Sequence, residues 1–112
     1  EEAFRLALKE LRELPREDYV SLLAGLAARA SSTGREELIF SQTDRATVGK
    51  AVAQAANRML RGGKLTLSQE CRSMEGGFVL RGDGVEVNCG LAAMLRWERE
   101  RLTVDVAGVL FP

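Results

Sequence analysis

The sequence predicts an α+β fold, a small mixed or antiparallel four-stranded sheet packed with helices in the order ααβαβββα. Two observations carry this prediction. Apolar residues recur at helical spacing in the first thirty positions, around residue 50 and again from Leu91, and four short runs rich in strand formers lie between them. The last three of these runs follow one another through short glycine-containing links and are preceded by a strand-helix unit, the pattern of helices packed on a small sheet.

Each element has its own justification. From Glu1 to Glu13, Phe4, Ala7, Leu8 and Leu11 fall at i, i+3, i+4 and i+7 within a charged surround, which makes an amphipathic helix. Pro15 suits the first turn of a second helix, and Glu17 and Asp18 favour the positive end of its dipole. That helix runs from about Arg16 to Ser31 on the stripe Tyr19, Leu22, Leu23, Leu26, Ala27 and Ala30, and Ser31-Ser32-Thr33-Gly34 stops it. Glu37 to Ser41 is too short for a helix and reads as a buried strand. Thr43 or Asp44 can cap the third helix, whose stripe is Val48, Ala51, Val52, Ala55 and Met59 and whose end is Gly62-Gly63. Gly49 and the alanines at 51, 53, 55 and 56 allow that helix to approach a sheet closely.

Leu65, Leu67 and Gln69 alternate with Thr66, Ser68 and Glu70, giving a strand with two unlike faces. Phe78 to Leu80 and Val85 to Val87 form the next two strands, joined by Arg81-Gly82-Asp83-Gly84 as a hairpin, so a meander is expected. The last helix, from Leu91 to about Leu110, carries two apolar stripes. Leu91, Met94, Leu95, Leu102, Val106 and Val109 line one side, and Ala93, Trp97, Val104 and Phe111 lie near the other.

Composition bounds the chemistry. The 112 residues hold 16 Lys plus Arg against 16 Asp plus Glu, 46% hydrophobic residues, two Cys, two Pro and no His. This fits one compact domain with a modest core of its own. Zero formal charge removes the basic excess expected of a nucleic-acid binder. Without His there is no imidazole to activate a Ser or Cys nucleophile, and two Cys cannot complete a thiolate zinc site. No apolar run approaches the ~20 residues that cross a bilayer, and the first residues do not form a signal peptide. The chain reads as a soluble intracellular domain with both cysteines reduced and buried. Its start, Glu-Glu within a helical pattern and without Met, points to a piece of a longer polypeptide.

Few constellations suggest catalysis. Gly82-Asp83-Gly84 and Gly62-Gly63 lack the remainder of any phosphate-loop pattern. Arg81-Gly82-Asp83 is a chance tripeptide, and Glu70, Glu75, Asp83 and Glu86 read as solvated carboxylates. Cys71 and Cys89 end two strands and can be near one another without a bond. Ser41 to Arg45 is a polar passage from a buried strand to a helix, which is a place where α/β folds bind ligands and equally an ordinary helix start. Trp97 stands out within the charged run Arg96 to Arg101, because an aromatic on the non-core side of a helix needs a cover and Trp is enriched at interface hot spots. The surplus apolar residues Trp97, Val104 and Phe111, with Phe4, Leu8 and Leu11 of the first helix, are the expected partner-binding residues.

The helix stop at Gly62-Gly63, then Lys64 to Arg72, then Gly76-Gly77-Phe78-Val79-Leu80 and Val85-Glu86-Val87-Asn88, then a long charged helix ending in Val109-Leu110-Phe111, resemble the C-terminal globular domain of the E subunit of V-type and A-type ATPases. Leu38 to Arg45 is similar to that family's strand-to-helix passage, and Leu14-Pro15 with Tyr19-Val20 to its join between long helix and head. The resemblance covers essentially the whole chain. It implies a non-catalytic stator subunit without cofactors, cytoplasmic and peripheral to the membrane. Residues 1–13 would then be the stub of the stalk helix and residues 14–112 the head. It also implies pairing with the G subunit, called H in archaeal types, and attachment to the B subunit of the nucleotide-binding hexamer, in a complex that couples ATP hydrolysis or synthesis to proton or sodium transport. Two other readings compete: a small ligand-sensing domain using the Ser41 to Arg45 passage, and an enzyme's dimerisation domain whose second apolar stripe is self-complementary.

Overall fold

The computed structural model describes residues 2–96. Two helices come first, α1 (Glu2–Arg12) and α2 (Arg16–Ala30), followed by strand β1 (Glu37–Phe40). A compound helix follows, made of a short α3 (Gln42–Asp44), a π turn (Arg45–Gly49) and α4 (Lys50–Met59). Strands β2 (Thr66–Cys71), β3 (Gly77–Gly82) and β4 (Val85–Gly90) complete the sheet, and residues 91–96 are again helical. The α+β class and the element order through residue 96 are those the sequence predicts. The remainder of the expected terminal helix, with its second stripe at Trp97, Val104 and Phe111, lies outside the described residues.

The sheet order is β2-β1-β3-β4, with β1 parallel to β2 and antiparallel to β3, and β3 antiparallel to β4. The expected meander is therefore confined to the β3-β4 hairpin, because β1 inserts between β2 and β3. Its composition explains the position. Leu38, Ile39 and Phe40 are all fully buried, as a central strand requires. At the hairpin turn Asp83 and Gly84 take φ of 53° and 76°, the two left-handed positions of a two-residue connection.

One face of the sheet carries the core. Leu38, Phe40, Phe78 and Leu80 pack beneath α2 and α4 with Leu23, Ala27, Val52 and Ala56. The Phe40 and Phe78 rings lie 5.7 Å apart in a tilted arrangement. The buried side of the compound helix is Val48, Gly49, Val52, Ala53 and Ala56, whereas Ala51 and Ala55 are only half-buried and Met59 is exposed. The inward face is thus rotated from the expected stripe, since spacing over so many alanines does not by itself say which of them face inward. Gly49 fulfils the expectation of close approach: a Cβ there would stand 2.9 Å from Leu67 Cδ1.

Helix starts also differ in detail. Ser41 is the cap of α3, its Oγ accepting from the Asp44 amide at 3.2 Å, so neither Thr43 nor Asp44 serves as the cap. Asp44 instead accepts from the Tyr19 hydroxyl at 2.6 Å, and that hydroxyl accepts from the Gly77 amide at 3.2 Å. Burial, and then the bond to Asp44, push the Tyr19 phenol well above its ordinary pKa. This one side chain ties α2, the start of the compound helix and the start of β3.

Candidate functional site

The expected partner residues fall on α1 and on the terminal segment. Of those on α1, Leu8 is buried in the domain's own core, and Leu11 is half-buried against it. Leu8 is therefore already covered from within. Phe4 is half-buried, with the Arg96 guanidinium 5.7 Å from its ring centre. Spacing does place Leu8 on the helix's apolar face, but a face turned to a partner and a face turned to the fold look alike in sequence. Leu6, which lies off that stripe, is 55% exposed.

A surface groove runs between α1 and the helical residues 91–96. Phe4 and Leu8 form its floor, Arg5, Lys9, Arg12 and Arg96 its basic rim, and Glu13 and Glu75 add acidic groups. Lys9 already pairs with Glu13 at 3.9 Å in an exposed i,i+4 bridge. It is an open surface feature rather than an enclosed pocket.

The Ser41 to Arg45 passage uses its polar groups inside the fold. Ser41 caps α3, Asp44 holds Tyr19, and Arg45 Nε donates to the Ser68 carbonyl at 2.7 Å. That last bond pins an irregularity in β2, where register against β1 passes from Leu38↔Leu67 to Phe40↔Cys71. The π turn releases the Thr47 carbonyl, which accepts from Arg16 Nη2 at 3.2 Å.

Two charged clusters are not anticipated by the sequence pattern. Glu36 is 5% exposed and sits in a cage of donors: Ser31 Oγ at 2.6 Å, the Ser32 amide at 2.7 Å and the Thr33 amide at 3.2 Å. Burial alone would raise its pKa, but the Ser31 hydroxyl and the two amides outweigh burial and hold the carboxyl at about 2. The helix stop at Ser31 to Gly34 is thus organised by a carboxylate that follows it. The second cluster lies on the sheet face away from the helices. Arg81 bridges Glu37 and Glu70 at 2.8 and 2.9 Å, and Arg72 bridges Glu70 and Glu86 at 2.8 and 2.6 Å. Arg81 and then Arg72 lower the Glu70 pKa, and Arg72 lowers that of Glu86. Glu70 and Glu86, expected as solvated carboxylates, are partly exposed members of this lattice.

The cysteines correct another expectation. Cys71, Phe40, Phe78 and Cys89 lie in one cross-strand row, so the two thiols stand on opposite edges, about 14 Å apart by ordinary strand spacing. Cys71 is exposed rather than buried, and both are free. Burial pushes the half-buried Cys89 thiol up to about 11. Among the described residues no group of three or more His, Cys, Asp or Glu is placed to hold a metal, and no helix is long and apolar enough to cross a membrane.

Together these residues make a small α+β domain in which the polar side chains of the Ser31–Glu36 and Ser41–Arg45 passages are bonded within the fold, and which carries a surface groove between α1 and residues 91–96. No family model matches the chain. It is 33% identical over 114 residues to the E subunit of the V-type proton ATPase of Thermoanaerobacter pseudethanolicus, covering 98% of this chain and 57% of that protein. It is also 29% identical over 106 residues to the E subunit of the V-type ATP synthase of Acetivibrio thermocellus (91% and 54%) and 30% identical over 112 residues to that of Clostridium botulinum (96% and 56%). The chain is a homologue of the E subunit of V-type ATPases. It spans about half the length of the curated relatives it matches, as a C-terminal domain of those proteins would.

The structure gives the Gly76-Gly77 signature a physical reason. Gly77 has φ of 83°, and a Cβ there would lie 2.5 Å from the Cys89 carbonyl oxygen and 2.6 Å from Gly90 Cα. Gly76, at φ of 114°, would drive a Cβ to 2.6 Å from Leu91 Cδ1. The pair lets β3 start against the turn from β4 into the next helix, where only glycine fits.

Proposed function

We propose that this domain is the head of a non-catalytic peripheral-stalk subunit of a V-type or A-type rotary ATPase. In that role it holds the nucleotide-binding hexamer still while ion transport, of protons or sodium, is coupled to ATP hydrolysis or synthesis. The observation that carries this reading is the similarity to V-type ATPase E subunits along nearly the whole chain. The chemistry agrees with it: the chain has no imidazole, and a stator works through stable contacts rather than through a reaction. Residues 1–13 act as the root of the stalk helix, residues 14–112 as the head, and the complex places the domain on the cytoplasmic side, peripheral to the membrane.

The partners are the G subunit (H in archaeal types), approached through helices, and the B subunit. Phe4 and Leu11 remain candidate contacts on α1, Leu6 joins them by its exposure, and Trp97, Val104 and Phe111, which lie outside the described residues, are the further candidates from the sequence. Calorimetric titration with the G and B subunits tests this reading. Tight binding is expected for the chain, and weaker binding with an unchanged melting temperature for the Trp97→Ala, Phe111→Ala double variant. Undiminished affinity would remove those two residues from the interface. Failure of the parent chain to bind either partner would sink the stator reading.

A further inference from the structure

The two edges of the sheet are finished differently. β2 offers no regular ladder to a neighbour: its register against β1 is irregular, Arg45 Nε donates to the Ser68 carbonyl, and the Ser68 hydroxyl accepts from the Glu70 amide. β4 is the other edge, and it pairs with β3 without interruption from Val85 to Gly90. Val85 and Val87, on its helix-side face, are 61% and 43% exposed. A regular edge strand with open apolar side chains is one that folded proteins normally cover, charge or pair.

Hydrogen-bond alternation fixes which groups that edge presents. The Glu36 and Phe40 carbonyls accept from the Thr66 and Arg72 amides, so the even-numbered residues of β1 turn their backbone groups toward β2, and Glu37 and Ile39 turn theirs toward Arg81 and Val79. Phe78, Leu80 and Gly82 then bond to Cys89, Val87 and Val85, which leaves Glu86, Asn88 and Gly90 with backbone groups pointing outward. The Gly90 amide already donates to Asn88 Oδ1 at 2.8 Å. The free ladder positions are Glu86 and Asn88, one on each side of Val87.

We infer that two copies of this chain pair β4 against β4, antiparallel, about a two-fold axis through Val87. Glu86 of one copy then faces Asn88 of the other, so both free positions of each strand are bonded; Val87 meets its symmetry mate and Val85 meets Cys89. Charge and bonding select this register over its neighbours. A register centred on Glu86 sets two carboxylates opposite each other, and one centred on Asn88 calls on the Gly90 amide, which the Asn88 side chain holds. A slip by one residue sets the valines against the charged face. In the Val87 register each Glu86 stays neutralised by its own Arg72, at 2.8 and 2.6 Å. One strand pair buries less than the ~1,200 Å² of a standard interface, so the association is weak, with Kd on the order of 0.1 mM. The pairing does not depend on the stator reading, because it involves only copies of this chain.

Sedimentation equilibrium of the whole chain from about 10 μM to about 1 mM, a range that brackets this Kd, tests the association. The average mass should rise from that of a monomer toward twice that value, and Val87→Lys, which sets two ammonium groups on the axis, should weaken the dimer at least about ten-fold with an unchanged melting temperature. A parent chain that stays monomeric throughout, or a Val87→Lys variant that associates equally well, would overturn the inference. Register is read separately by thiol trapping with oxidised glutathione in a Cys71→Ser, Cys89→Ser background. Val87→Cys places two thiols on residues about 4.5 Å apart between Cα atoms and should give a covalent dimer at least about ten-fold faster than Glu86→Cys or Asn88→Cys. Faster trapping at Glu86 or Asn88, or equal rates at all three, would overturn the Val87 axis.

Discussion

The two faces of the sheet are built on different physics. Toward the helices lie Leu38, Phe40, Phe78 and Leu80, each within 1% of full burial and in contact with α2 and α4 through apolar surface alone. Away from the helices, Glu37, Glu70, Arg72, Arg81 and Glu86 join four strands by ion pairs, and among the described residues the buried apolar members of that face are the cross-strand neighbours Ile39 and Val79. The helix-side face gains its stability from area removed from water, which involves no titrating group and is not screened by salt. The outer face gains order rather than much energy, because partly exposed pairs are screened. The comparison teaches that the core fixes whether this domain folds, while the charges fix how the strands align.

The largest expected effects therefore fall on the first face. Phe78→Ala removes a fully buried ring that contacts Phe40 and should lower stability by roughly 3–5 kcal/mol in chemical denaturation. A loss under about 1 kcal/mol would mean that the core does not depend on this pair. Gly77→Ala comes next, at roughly 3 kcal/mol, since it sets a methyl group against the Cys89 carbonyl and strains a left-handed backbone. Its test is a comparison with Gly84→Ala at the open hairpin tip, where no atom lies within 4 Å of the added Cβ and only the conformational cost applies. Equal losses at the two glycines would show that close packing at Gly77 is unimportant.

These two faces are not equally legible in the sequence. The helix residues on that side announce themselves by period, so Leu23, Ala27 and Val52 are readable as inward-facing positions, while Leu38 and Phe78 are readable only as members of buried strands. Val79 is readable as buried but not as belonging to the other side of the sheet, because a continuous apolar run hides its alternation. The lattice is not readable at all: Arg72 and Glu86 are 14 positions apart, and only the insertion of β1 between β2 and β3 brings their strands into one row of four. Glu36 is a similar case, since its cage is a local loop geometry rather than a residue pattern, though the run Ser31-Ser32-Thr33 followed by a carboxylate is a signal that capping logic can use. The candidate partner residues are legible only as apolar surplus, and Leu8 shows the weakness of that inference.

Glu36 joins the two kinds of physics, being both buried and charged, and its effect should be intermediate and pH-dependent. Its folded pKa of about 2 lies below the value near 4.3 of an unfolded Glu, so its contribution is complete above about pH 5 and disappears as pH falls toward 2. Glu36→Gln should cost on the order of 2–3 kcal/mol at pH 7, and the gap between parent and variant should close through that acidic window. Urea titrations at a series of pH values measure it. A gap that stays constant down to pH 2 would show that shape, and not the carboxylate charge, is what the cage requires.

The smallest effect belongs to the outer lattice, and it discriminates most sharply between order and energy. Arg81 is the junction, reaching Glu37 on β1 and Glu70 on β2 from its own place on β3, while Arg72 reaches Glu86 on β4. If the lattice mainly aligns strands, Arg81→Met should lower the melting temperature only slightly at low salt, and roughly 1 M salt, where the screening length is about 3 Å, should erase the difference. Amide exchange should nevertheless speed up along β2, which is an edge strand held to β1 through an irregular register. A large loss of stability that persists in high salt would make Arg81 part of the apolar cover over Ile39 and Val79 through its aliphatic stem. In that case the outer face would be a second, thinner core, and the contrast between the two faces would be one of degree.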